Sequence, residues 1–512
     1  MSIEQETEQA NLLARVNFPI YCVKAITERH ILIGGGGGCS KTGIANNLEI
    51  YELIYDHHTN TARATLATHF DVGGHAIMNM CIIPTVSKYS FDLPCGGMEG
   101  MCYVYNVQFC FKNSSQFTRP FERQISQEDS GTASNLRRRH FSISSQKQSI
   151  DEENLSLNEC DNDEDDEKYQ SKELNENSDE SEQDCKNETK PSNMSNILDY
   201  QFDFDLKESF QTDFHQKEPY QKLIKYSEKA QIIFSAGADG RIGFWEYPTY
   251  KLLARIKAHS NEIDDIDIHP SGEHIVSVSR DGRSLVWNVH NGSSFTELNN
   301  LRYLSKLSSS KKSSLFENAK YNPRLCRYTM IENDANNVRL FIALNTRSKL
   351  DSFICKWYHD CRNDQYSMEQ IVSVGEIPLF AMAISDNGRF LAVGKQTGDV
   401  DVYLTSSLQR CYQLQQAHNI FVTAIEFLPS LPSTTELVGG QIDAALISVS
   451  VDNRIVLHKI PHKGNSLSKF HFESISINLK FSRSNPDTLG FFGSFTFFIL
   501  FIVSVYLFMS LL

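Results

Sequence analysis

The sequence predicts an all-β fold assembled from repeated hairpins, and three observations carry the prediction. Residues Ile232–Trp245 read as a strand, an Asp239-Gly240 corner and a second strand ending in Trp. About 40 residues later Ile275–Trp287 repeats the arrangement around Asp281-Gly282. Weaker copies follow: Phe390–Tyr403 places Tyr where the others have Trp, and another runs from Ala417-His418 through Ala445–Arg454 to Leu457. Segments near 326–357, 62–112 and 18–53 add strand-like alternation at compatible spacing.

At 512 residues, with 40% hydrophobic and 22% charged residues, the chain has the composition of a folded globular protein. The net charge of −14 is local: residues 151–190 hold 17 Asp and Glu against 4 Lys, leaving about −1 for everything else. No basic face is evident, so direct nucleic-acid binding lacks its usual electrostatic footprint. Residues 113–219 are expected to form a disordered acidic insertion between the second and third repeats, because their Asp, Glu, Ser, Asn and Gln cannot bury enough apolar surface. Within it Arg137-Arg138-Arg139-His140-Phe141-Ser142 resembles a basophilic kinase site at Ser142. The 12 cysteines are scattered without CxxC pairs or metal-ligand spacing, which predicts reduced thiols.

The most unusual stretch is Gly34–Asn46, in which the apolar strand Ile31-Leu32-Ile33 runs into five glycines. Consecutive glycines belong where main chain takes positive φ or approaches something closely. From Gly35 the spacing nearly satisfies a phosphate-binding loop, with Lys41-Thr42 in place, but Ser40 stands where the glycine before the lysine is required. The alternation Leu48-Glu49-Ile50-Tyr51-Glu52-Leu53 then predicts a strand instead of the helix such a loop needs. On these residues alone, a hairpin loop without further function also stands.

The ends differ in character. Met1–Asn17 carries Glu4, Glu6 and Glu8 and no apolar core of signal-peptide length, so the bulk of the chain is expected in the cytosol. Gly490–Leu512 is 23 residues without a charge. As a helix it spans about 35 Å, enough for a hydrocarbon core of about 30 Å, and predicts a C-terminal transmembrane helix after a juxtamembrane linker at 466–489. Lys459, Lys463, Lys469, Lys480 and Arg483 precede it, which places the N-terminal part on the cytosolic side.

The period, the His259 before the second hairpin and the closing Trp resemble the WD-repeat family, which implies a seven-bladed β-propeller: blades 1–2 in 1–112, including the loop at 34–46, and blades 3–7 in 220–465. In such a blade His259, Ser277, Asp281 and Trp287 are expected to form a structural hydrogen-bond network, not a catalytic set.

The combination of glycine loop, propeller and C-terminal span is similar to one family, the endoplasmic-reticulum exchange factors that activate Sar-type small GTPases to start COPII coat assembly, known in animals as prolactin regulatory element-binding protein. The carrying residues are Phe18-Pro19-Ile20-Tyr21, Gly35–Gly38 and Lys41–Asn46, Gln211-Thr212-Asp213-Phe214, Lys257-Ala258-His259 with Glu262-Ile263, and Gln416-Ala417-His418 leading to Val422-Thr423. Gly34 adds a fifth glycine to the family's four.

The resemblance implies a guanine nucleotide-exchange factor of the endoplasmic-reticulum membrane, acting in ER-to-Golgi transport without covalent chemistry. Its GTPase-engaging loop would comprise Gly35, Gly36, Gly37, Gly38, Lys41, Thr42, Gly43, Ile44 and Asn46. It also implies a potassium ion at that loop, to which the Thr42 hydroxyl and the Asn46 amide oxygen would add ligands. Rival readings are a membrane-tethered WD-repeat scaffold without exchange activity and a transcriptional regulator binding promoter DNA.

Overall fold

The computed structural model describes residues 11–39, 43–111, 200–299, 321–331, 334, 337–346 and 350–462. Their strands form seven antiparallel sheets, six of four strands and one of five, the blades of the expected propeller. Blade 1 comprises Ile20–Ala25, His30–Gly35, Asn47–Asp56 and Thr61–Asp71. Each following blade takes the next strands in chain order, so consecutive hairpins build each sheet. Second and third strands are mostly buried, as in Ile232–Gly237 and Val400–Leu404, and fourth strands such as Leu252–Lys257 are more exposed. Burial on both faces explains the near-continuous apolar runs at those positions.

Three boundaries differ from the sequence reading. The strand Leu12–Arg15 is the outer strand of blade 7, paired with Arg454–Pro461, and not part of blades 1–2. It closes the ring by joining the two ends of the propeller. Thr61–Asp71 belongs to blade 1, so blade 2 begins at Ile77. The acidic insertion also ends earlier than 219: Tyr200–Gln211 is the outer strand of blade 2, paired residue by residue with Met101–Phe111. Its Tyr200, Phe202 and Phe204 pack on Phe109, Tyr105 and Phe70, burial that the acidic segment before it cannot supply. The insertion therefore interrupts blade 2 between its third and fourth strands. Residues 112–199, with Ser142, lie outside the described residues.

The unit covering the propeller ends at Pro461. Of the unit that follows, only His462 is described, so the expected linker at 466–489 and the span at 490–512 also lie outside the described residues. Among the described residues no helix is long and apolar enough to cross a membrane. The ten described cysteines are all free thiols, six of them buried.

The expected network in blade 4 is present. Trp287 Nε1–H donates to the Ser277 hydroxyl (2.8 Å), Ser277 Oγ lies 2.8 Å from His259 Nε2, and His259 Nδ1 meets Asp281 at 2.9 Å. Asp281 then accepts the N–H groups of Ser260 and Arg283, tying the Asp-Gly corner to the loop between blades. These bonds assign the tautomer: Nδ1 carries the His259 proton and Nε2 accepts from Ser277. Blade 7 repeats the network with His418, Asp452 and Ser448, and His458 takes the place of Trp. Burial pushes the His458 ring down to about 3.

Candidate functional site: the glycine loop

Each blade presents two kinds of loop at either end. The turn between second and third strands and the crossover to the next blade share one face of the propeller; the other two turns share the opposite face. Gly36–Asn46 joins the second strand of blade 1 to the third, so it sits on the face that also carries the His–Asp corners. Arg454–Pro461, the last strand of the propeller, ends on the opposite face.

The five glycines do two different jobs. Gly34 and Gly35 are strand residues, buried and paired with Leu48 and Asn47. A Cβ on Gly34 would meet Cys22 Sγ and Ile77 Cγ2 at 2.9 Å, and one on Gly35 would lie 1.9 Å from the Pro19 carbonyl oxygen. Gly35 is therefore a packing residue at the root of the loop. The additional glycine, Gly34, lets blade 1 close against Ile77 of blade 2.

The loop proper starts at Gly36, with φ of +137°, where a Cβ would come within 2.2 Å of Asn46 Oδ1. Its N–H donates to the Pro19 carbonyl (3.0 Å). Asn46, buried, latches the two ends of the loop together. Its Oδ1 accepts the Gly38 N–H at 2.8 Å, and its Nδ2 donates to the carbonyls of Gly38 (3.2 Å) and Gly73 (2.8 Å). The Asn46 carbonyl in turn accepts the Val72 N–H at 3.0 Å, so the crossover to blade 2 buttresses the loop. Met98, in the corresponding turn of blade 2, places its sulfur beside Gly38.

Gly43, Ile44 and Ala45 are exposed, and Ser40, Lys41 and Thr42 lie outside the described residues. The described part thus brings Gly36, Gly37, Gly38 and Asn46 together at the base and leaves Gly43 and Ile44 exposed. No strand-to-helix turn follows: Asn47–Asp56 is a strand, as the alternation predicted, so the loop lacks the helix N-terminus of a nucleotide cradle.

Among the described residues four large apolar side chains are exposed on this same face: Ile44 (39%), Met98 (45%), Phe214 (47%) and Ile420 (42%). Phe214 is held by Arg255, whose guanidinium lies 4.0 Å above the ring. Met98 and Phe214 were absent from the sequence-derived site. Gln211-Thr212-Asp213-Phe214 carried the family resemblance, but only the blade order shows that it shares a face with the loop.

Comparison with known proteins agrees with this architecture. A family profile described as WD domain, G-beta repeat matches residues 250–288, the span from the outer strand of blade 3 through the third strand of blade 4. The guanine nucleotide-exchange factor SEC12 of Rattus norvegicus is 25% identical over 459 residues, covering 88% of this chain and 91% of the relative. Its counterpart from Mus musculus matches to the same extent. SEC12-like protein 2 of Arabidopsis thaliana is 24% identical over 253 residues, 48% of this chain and 53% of that protein. The resemblance first carried by the loop motif therefore extends along most of the chain.

Proposed function

Proceeding from kinship with the SEC12-type exchange factors over 88% of its length, we propose that this protein is a guanine nucleotide-exchange factor for a small GTPase of the Sar type. The single observation that carries the reading is the glycine loop: it lies on one face of the propeller, is latched at its base by Asn46, and lacks the helix with which a nucleotide-binding loop would serve its own chain. Such a loop is built to be presented to another protein.

Exchange requires no bond to be made or broken by the factor. It requires that the factor bind the nucleotide-free GTPase more tightly than the loaded one, and the differential affinity sets how far the population moves towards release. In this chain Gly43 and Ile44 supply the exposed tip, Lys41 and Thr42 complete the engaging element, and Met98 and Phe214 extend apolar contact across blades 2 and 3. Asn46 acts as a positioning residue that limits the conformations the loop can take.

The donor chemistry of the loop also suits potassium. Residues 36–46 contain no Asp or Glu and offer neutral oxygens, those of main-chain carbonyls, the Thr42 hydroxyl and the second lone pair of Asn46 Oδ1. Neutral oxygens favour a weakly hydrated monovalent cation over a divalent one, which draws carboxylates. When bound, the ion would stiffen the loop. The apolar segment 490–512 would anchor the protein in the endoplasmic-reticulum membrane, where activating this GTPase starts COPII coat assembly and ER-to-Golgi transport.

The test is release of a fluorescent guanine nucleotide from purified small GTPases, with the full-length protein in detergent and the buffer cation either potassium or sodium. Acceleration of a Sar-type GTPase, abolished when Thr42–Asn46 are replaced by alanine, is expected. Binding without acceleration would identify a scaffold instead.

A further inference from the structure

On the face opposite the glycine loop, blades 4 and 5 bring together His269, His274, His359, Cys361 and Asp364. His269 lies in the first turn of blade 4, between Ile263–Ile268 and His274–Ser279; His359 ends the third strand of blade 5, and Cys361 and Asp364 lie in the turn after it. His269 Nε2 and His359 Nδ1 are 2.9 Å apart, Cys361 Sγ is 3.5 Å from His359 Nδ1, and all three atoms lie within 4.8 Å of one another. A tetrahedral zinc ion with nitrogen ligands at about 2.0–2.1 Å and sulfur at about 2.3 Å requires N···N near 3.3 Å and N···S near 3.6 Å. The sulfur is already at that separation from His359 Nδ1 and within 4.8 Å of the His269 ligand atom, and the two nitrogens need to part by only a few tenths of an ångström.

From this geometry we infer that His269 Nε2, His359 Nδ1 and Cys361 Sγ form a zinc-class metal site that staples blade 4 to blade 5, with the fourth position open to water at the exposed Cys361. The surrounding groups match what a metal centre needs. His359 Nε2 lies 2.9 Å from the Asp364 carboxylate, the arrangement that fixes the orientation and tautomer of a ligating imidazole. His269 Nδ1 has the Ser271 hydroxyl at 2.8 Å to accept its proton. Asp364 is also the nearest acid to His274, at 3.7 Å, whose Nδ1 is buried without a hydrogen-bond partner.

Without metal the same atoms form a consistent chain. The Ser271 N–H donates to His269 Nδ1, so the proton sits on Nε2 and is donated to His359 Nδ1. Binding a divalent ion therefore takes three steps that balance. The His269 proton moves from Nε2 to Nδ1, where the Ser271 hydroxyl accepts it and the Ser271 N–H gives up its bond to that nitrogen. The Cys361 thiol loses its proton to solvent, and the ion bonds to the two imidazole nitrogens and the thiolate in place of water.

The site is tested on the full-length protein, stripped with a chelator and titrated with Co²⁺ and then Zn²⁺. The expected result is about one metal per chain, a cobalt spectrum with tetrahedral d–d bands and a thiolate charge-transfer band, and a rise in melting temperature on adding Zn²⁺. Cys361→Ser, in an exposed turn, should abolish the charge-transfer band and weaken binding at least tenfold while the stripped protein melts as the parent does. His359→Gln should lose binding, and Cys110→Ser should leave it unchanged. Binding of less than about 0.2 metal per chain, or a cobalt spectrum indifferent to Cys361→Ser, would overturn the assignment.

Discussion

Replacing Asn46 by alanine tests how the glycine loop is held. The substitution removes three hydrogen bonds, Gly38 N–H to Oδ1 and Nδ2 to the carbonyls of Gly38 and Gly73. A net value of about 1 kcal/mol for each gives about 3 kcal/mol, and water reaching the half-buried Gly38 restores part of it, leaving about 1.5–3 kcal/mol. None of these bonds lies in a blade core, so the loss falls on loop order more than on the propeller. If exchange requires the ordered loop, its rate should fall about 10- to 150-fold, the conversion of that range at 1.4 kcal/mol per decade. Nucleotide release from a Sar-type GTPase measures the rate, and amide hydrogen exchange at Gly37 and Gly38 measures the loop itself. Asn46→Asp provides the control: it keeps an acceptor for Gly38 but faces two carbonyls with a carboxylate, so it should rescue little. Unchanged exchange in Asn46→Ala together with lost amide protection would refute the positioning role. Unchanged protection would refute the latch.

Other consequences follow from the packing. Ser277→Ala leaves His259 Nε2 and Trp287 Nε1–H buried without partners, costing about 2–5 kcal/mol, and a melting temperature within 1 °C of the parent would contradict the network. Gly35→Ala, whose Cβ would collide with the Pro19 carbonyl, should destabilise blade 1 even though it lies outside the projecting loop; calorimetry should show a clear drop. Deleting residues 1–16 removes the closing strand of blade 7 and should lower the urea midpoint, whereas an unchanged midpoint would mean that the strand contributes nothing to closure. Burial holds His458 down at about 3 and His30 at about 4, against about 6.5 in the unfolded chain. The unfolded chain then binds more protons below that value, so stability should decline as pH falls from about 6.5 towards 4 and should not depend on these groups above pH 7. Equal urea midpoints at pH 7.5 and 5 would contradict this.

The repeat architecture was legible because each blade buries the same positions, so the Asp-Gly corner and the closing aromatic recur with a period that survives local variation. The blade edges were less legible. Leu12–Arg15 is four residues long and pairs with a strand more than 400 residues away, so nothing local marks it as part of blade 7. Tyr200–Gln211 carries the aromatic alternation of a strand, but the acidic composition before it masked the signal. In the loop, the glycine run announced a special backbone, yet the division between packing glycines and projecting ones depends on Cys22, Ile77 and Pro19, neighbours that only the fold supplies. Asn46 read as a ligand because amide oxygens bind cations; its partner Gly73 lies 27 residues on, in a crossover no motif identifies. The histidine and cysteine cluster of blades 4 and 5 escaped a search by spacing because His269 and His359 stand 90 residues apart.

The measurement that bears most directly on the central claim is the rate of GDP release from a Sar-type GTPase, with the intact protein and with its Thr42–Asn46 alanine variant at equal concentration. The account predicts strong acceleration by the parent and a rate near the spontaneous one with the variant, while both melt at similar temperatures. Equal acceleration by the two proteins would show that the glycine loop is not the element that drives exchange.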